Sequence, residues 1–107
     1  MDSGTIDVQP DQRLEALARA NRIRQVRAEL KRGIADGNVS AAEVILLNQR
    51  EVEGMPVAEV LTSQRHWGDV RCRRFLMPML LQESKTIGSM TERQRLAVAA
   101  RLSGQAC

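Results

Sequence analysis

Tyrosine is absent from this chain of 107 residues, and Trp67 and Phe75 are its only aromatic residues. Such scarcity weighs against a β-rich fold, which favours aromatic and β-branched side chains. It also weighs against modules that read single strands by stacking bases on Tyr and Phe. His66 is the only histidine, so no metal cluster built on several histidines is available, and any Ser–His–Asp or Cys–His arrangement would have to pass through His66. Two cysteines, Cys72 and Cys107, make neither a disulfide framework nor a zinc cluster. A reducing cytoplasm is therefore the expected compartment. No apolar run approaches the ~20 residues that a membrane-spanning helix needs. The first twelve residues hold Asp2, Asp7 and Asp11 and no Lys or Arg, unlike the basic start of a secretory signal. Phosphate loops of the Walker or dinucleotide type are missing as well.

What is present is a soluble, globular balance, with 43% apolar and 27% charged residues. The length suits one domain. The net charge of +3 hides a pattern. Residues 13–32 hold seven bases against two acids, and residues 65–107 hold eight bases against three acids. Between them, residues 33–64 hold one base against five acids. Fourteen of the sixteen bases are arginine, beside Lys31 and Lys85. The planar fork of arginine suits phosphate oxygens, although a GC-rich genome also enriches this residue.

The chain reads as all-α: a long N-terminal helix plus a compact four-helix domain. Residues 1–9 are expected to form a flexible acidic tail and residues 10–103 a single helical domain. Pro10 suits the first turn of a helix and Asp11 the positive end of its dipole. That helix is expected to run to Arg32 and end at Gly33, with Leu14, Leu17, Ile23, Val26 and Leu30 as its buried stripe. Its length exceeds what so small a remainder can cover, so part of it should project. Asp36-Gly37-Asn38 signals a turn. Ser40 and Glu43 fit a capping box, with Val39 and Val44 as the hydrophobic staple, for a second helix expected to reach Val52 and break at Gly54. Pro56 opens a third helix over Val57–Thr62. A tight connection follows, in which Gly68 is expected at positive φ and Asp69 as the cap of a fourth helix over 70–82, kinked at Pro78. Residues 84–89 form a loop. Thr91 and Gln94 are a second capping box for a last helix to Leu102.

Catalysis is poorly served. Cys72 lies among Arg71, Arg73 and Arg74, whose charges could lower its thiol pKa, but the plainer reading is a small residue on a helix face. Glu51 and Glu53 fall on different faces of a helix and read as solvated. The informative stretch is 56–77: short helix, tight turns, glycine, basic helix. Unpaired N–H groups and the helix dipole make such a helix start an anion site, with Arg65, Arg71 and Arg74 placed to surround a phosphate. A plain helix connection has the same spacing.

Three motifs in order carry a resemblance. Arg27-Ala28-Glu29-Leu30-Lys31-Arg32 closes the first helix, Val57-Ala58-Glu59-Val60-Leu61 precedes Trp67-Gly68-Asp69-Val70-Arg71, and Ser89-Met90-Thr91-Glu92-Arg93-Gln94-Arg95 opens the last helix. Over about residues 10–102 this string resembles the actinobacterial type of integration host factor, as a divergent member. The resemblance implies a helix–two-turns–helix element and a nucleoid-associated protein that binds duplex DNA, bends or compacts it, and assists site-specific recombination. Carried over by position, the DNA-contacting residues are Arg65, Trp67, Gly68, Val70, Arg71 and Arg74, then Ser84, Lys85 and Thr86. The long helix adds Arg24, Arg27, Lys31 or Arg32. No cofactor, metal or catalytic residue is implied. The partners are double-stranded DNA and a recombinase or topoisomerase, with a monomeric chain in the cytoplasm and nucleoid and no membrane. The sequence departs from the family at Asp69, where a base is usual, at Pro78, and in a loop whose only base is Lys85.

The alternative is a protein-interaction module that uses the acidic middle to bind a recombinase or nucleic-acid machinery. A ribosomal-RNA role is a third reading. Glycosylases that use a helix–two-turns–helix element pair it with a catalytic N-terminal proline and often a zinc finger; residue 2 here is Asp, and four zinc ligands are missing.

Overall fold

The structure is a computed structural model that describes residues 10–104. The expected acidic tail and the thiol of Cys107 lie outside the described residues. Five α-helices follow in order: α1 Pro10–Asp36, α2 Ala41–Leu47, α3 Val57–Thr62, α4 Asp69–Leu76 and α5 Glu92–Gly104, with 3-10 turns at Met77–Met79 and Ile87–Ser89. The fold is all-α; among the described residues the only β pairing is an isolated antiparallel bridge between Pro56 and Thr86.

Helix α1 runs four residues past its expected end. Gly33 lies inside it, and Gly37, at φ 83°, is the left-handed residue that stops it. The N–H of Asn38 donates to the Gly33 carbonyl at 2.9 Å and that of Gly37 to the Ile34 carbonyl at 3.2 Å, the two bonds of a Schellman cap. Gly33 is needed for a different reason: a Cβ there would lie 2.6 Å from Cγ2 of Val39, which folds back over the helix end. The expected single stripe divides in two. Ile23, Val26 and Leu30 face the body and Ile34 is buried, whereas Leu14 and Leu17 are 65% and 53% exposed. At about 100° per residue, Leu14 stands nine residues and so about half a turn from Ile23. Apart from half-buried Ala20, residues 11–22 are exposed, which is the projecting part.

Helix α2 starts as expected, with the Ser40 Oγ accepting the Glu43 N–H at 3.4 Å. It ends at Asn48 and not at Gly54, because Asn48 takes the left-handed conformation at φ 47°, which asparagine tolerates. The freed turn sends Val52 and Met55 fully into the core. Helix α3 matches its expected bounds. Helix α4 starts one residue early and does not continue through Pro78 as a kinked helix. It stops at Leu76 in a 3-10 turn, and Leu80 then adopts φ 58°. Proline at 78 removes a donor and crowds the preceding turn, and the reversal at Leu80 lets Leu81 enter the core. Helix α5 has both arms of its capping box: the Thr91 N–H donates to Gln94 Oε1 at 2.9 Å, and the Gln94 N–H to Thr91 Oγ1 at 3.1 Å.

The core gathers Ile34, Val44, Ile45, Val57, Val60 and Leu61 against Phe75, Leu76, Ile87, Val98 and Leu102. No polar or charged residue is buried in it, among those described.

Candidate nucleic-acid interface

The corner between α3 and α4 is built from its backbone. Thr62 and Ser63 hydroxyls donate back to the carbonyls of Ala58 and Glu59, both at 2.8 Å, and the Trp67 N–H donates to the Gln64 carbonyl at 3.1 Å. The left-handed residue of this turn is His66, at φ 70°, and not Gly68 as expected. Gly68 is extended, at φ −99° and ψ −173°, and is the N-cap of α4. Its carbonyl accepts the Cys72 N–H at 3.0 Å. Having no side chain, it provides no cap for the amides of Asp69, Val70 and Arg71, which as the first N–H groups of α4 have no intrahelical acceptor. A Cβ added at Gly68 would meet nothing within 4 Å. Asp69 is the first helical residue, not the cap, and its side chain makes no capping bond.

An open groove runs along this corner, lined by Trp67, Gly68, Asp69, Val70, Arg71, Arg74, Phe75 and Arg101. Trp67 is half-buried. Its ring meets Phe75 edge-on, with centroids 5.3 Å apart and an interplanar angle of 72°. The Arg71 guanidinium stacks over the Trp67 ring at 4.3 Å. Trp67 is thus covered on an edge and a face, and it serves as a platform that orients Arg71. Arg65, Arg71 and Arg74 are exposed. Arg101 was not among the residues read from sequence. It reaches from α5 to donate to the Phe75 carbonyl at 2.7 Å and stacks over the Phe75 ring at 4.5 Å, placing a positive charge at the negative end of α4. No local motif links positions 75 and 101, so only the packing of α5 reveals it.

The second predicted contact, Ser84-Lys85-Thr86, lies outside that groove. Ser84 is exposed, but the backbone here is tied to the start of α3. The Val57 N–H donates to the Lys85 carbonyl at 2.7 Å, the Ile87 N–H to the Met55 carbonyl at 2.9 Å and the Gly88 N–H to the Glu53 carbonyl at 2.9 Å. The Thr86 hydroxyl donates to Ser89 Oγ at 2.9 Å. Of the α1 candidates, Arg27 donates from Nε to the Glu51 carbonyl at 2.6 Å and its guanidinium passes over Gly54. Lys31 pairs with Glu59 at 2.9 Å. Arg24 and Arg32 are exposed.

At Cys72 the arginines do not lower the thiol pKa, and the plainer reading, a small residue on a helix face, holds with that face turned inward. Burial pushes its thiol above the ordinary range, Glu83 and Asp69 add to this, and Arg73 opposes it only in part. Arg73 itself pairs with Glu83 at 3.1 Å. The thiol is a core group of α4. Among the described residues no group of His, Cys, Asp and Glu is placed to hold a metal ion, and no helix is long and apolar enough to cross a membrane.

No sequence-family profile matches the chain, and no curated protein matches it either. The fold, however, is that of a solved structure. The protein sIHF, bound to an 8-base-pair palindromic DNA, superposes with a TM-score of 0.70 at 23% identity, over 79% of this chain and 98% of that one. That protein is an integration host factor of the actinobacterial type, the family whose motifs the sequence resembles.

Proposed function

We propose that this chain is a divergent integration host factor of the actinobacterial type that binds double-stranded DNA through phosphates, with little regard to base sequence. The observation that carries the reading is the corner at Gly68: open amides at a helix start, with the Arg71 and Arg74 guanidinium groups exposed beside them. Backbone N–H groups and arginine forks are the donors that fix a protein on a duplex without reading bases. Likeness to a protein solved on DNA supports the same reading. Arg65, Trp67, Gly68, Val70, Arg71 and Arg74 form the main contact. Ser84, Lys85 and Thr86 form an outer edge, and Arg24 and Arg32 add long-range attraction from α1. Bending or compaction of DNA, assistance to site-specific recombination and a place in the cytoplasmic nucleoid belong to this proposal.

The test is retardation of a random duplex by wild type and by the Arg71→Ala, Arg74→Ala double variant, with circular dichroism to confirm that both fold. With about five to eight phosphate contacts, binding should fall with salt at a log–log slope of roughly −5 to −7. Unchanged retardation by the double variant, or a flat salt response by wild type, would overturn the reading.

A further inference from the structure

Side chains from the α3–α4 turn, α4 and α5 form one series of contacts along the groove. The Arg71 guanidinium lies over the Trp67 ring at 4.3 Å. Trp67 meets Phe75 edge-on, with ring centroids 5.3 Å apart. The Arg101 guanidinium lies over the Phe75 ring at 4.5 Å and donates to the Phe75 carbonyl at 2.7 Å. Trp67 belongs to the turn before α4, Arg71 and Phe75 to α4 and Arg101 to α5. Arg71 and Phe75 stand four residues apart and so share a face of α4. Asp69 and Arg74 line the same groove, but the cations stacked on its rings are Arg71 and Arg101.

We infer that Arg101 is a positioning residue for Arg71, acting through Phe75 and Trp67. This role rests on the reading of the Gly68 corner as a phosphate contact. An exposed arginine loses rotamer freedom when it binds. A ring that already holds the guanidinium reduces that loss, and it does so only where the ring itself is fixed. The Phe75 side chain is buried in the core cluster and carries Arg101 over its ring, and half-buried Trp67 rests against Phe75. Arg101 fixes this arrangement with one planar group. The guanidinium covers the Phe75 ring while one of its N–H groups satisfies a carbonyl of the last turn of α4, which has no intrahelical donor. A lysine ammonium has neither the flat face nor the fork, so lysine at 101 keeps the charge and loses the hold on the ring.

Trp67 is the only tryptophan, so its emission and its quenching by acrylamide report on the stack without DNA. Arg101→Lys and Phe75→Leu should each shift the emission to the red and raise the quenching, with the helical circular dichroism unchanged. On random duplex, Arg101→Lys should weaken binding about three- to tenfold in the wild-type background. In the Arg71→Ala background the same substitution should weaken it by less than about twofold, because the effect runs through Arg71. Equal losses in both backgrounds would make Arg101 a phosphate contact in its own right and overturn the positioning role. Full affinity of Arg101→Lys, or Trp67 quenching that neither variant changes, would overturn it too. If wild type binds no duplex, the reading of the corner falls and this role with it; binding by wild type with no difference between backgrounds removes this role alone.

Discussion

The corner at Gly68 and the segment at Ser84–Thr86 carry the same forecast from sequence, and they differ in where their hydrogen bonds go. At Gly68 the first amides of α4 open to solvent beside Arg71 and Arg74. At 84–88 the backbone groups of Lys85, Ile87 and Gly88 bond to Val57, Met55 and Glu53. One segment leaves its donors unpaired, and the other holds the loop against the start of α3. On the proposed reading, the segment with unpaired donors is the stronger DNA contact.

The sharpest way to break that contrast is the Arg71→Ala, Arg74→Ala variant set against Lys85→Ala. The first should weaken binding to random duplex at least tenfold and reduce the salt slope by about 2, the second by no more than about 1. Equal losses in a salt titration would erase the distinction. Next in size is the glycine pair. A Cβ at Gly88 would lie 2.8 Å from the Glu53 Cβ and 3.0 Å from its carbonyl oxygen, so Gly88→Ala should destabilise the fold by about 1–3 kcal/mol. Gly68→Ala should change stability in urea by less than about 0.5 kcal/mol, since its φ is negative and the space above it is empty. Asp69 places one negative charge among the donors of the first corner. Asp69→Asn should tighten DNA binding about three- to tenfold at low salt, with the gain fading as salt screens it. The smallest effect expected is at Leu80, which is 90% exposed at φ 58°. Leu80→Gly should stabilise the chain by up to about 1 kcal/mol and leave DNA binding unchanged.

Burial of Cys72 gives a pH signature. Its folded thiol titrates above the ordinary range, so the unfolded chain releases this proton first as pH rises. Stability is unaffected below the ordinary thiol range and is lost above it. Cys72→Ala should flatten that alkaline limb in urea titrations.

Much of the helical order was legible because its signals are local. The Thr91/Gln94 box, the Ser40/Glu43 cap and Pro56 before α3 each act within one turn of chain. Boundaries failed where a residue other than the obvious breaker took the left-handed turn: Asn48 in place of Gly54, His66 in place of Gly68, and Leu80 after Pro78. These residues have φ > 0 because the core draws in Val52, Met55, Trp67 and Leu81, and a local reading does not weigh that demand. The stripe of α1 divides for a related reason. Periodicity marks apolar positions, but which side of a helix is covered depends on what packs there.

By itself the sequence determined the helical class, the order of elements and the basic character of the 65–74 stretch, because propensity, capping and charge are properties of neighbouring residues. Only the tertiary structure decided which bases stay free. It turned Arg27 onto the Glu51 carbonyl, Lys31 onto Glu59 and Arg101 onto Phe75, while leaving Arg71 and Arg74 outward. The physical reason is that an arginine's role depends on the nearest acceptor in space, and that acceptor here lies some 24 to 28 residues away along the chain.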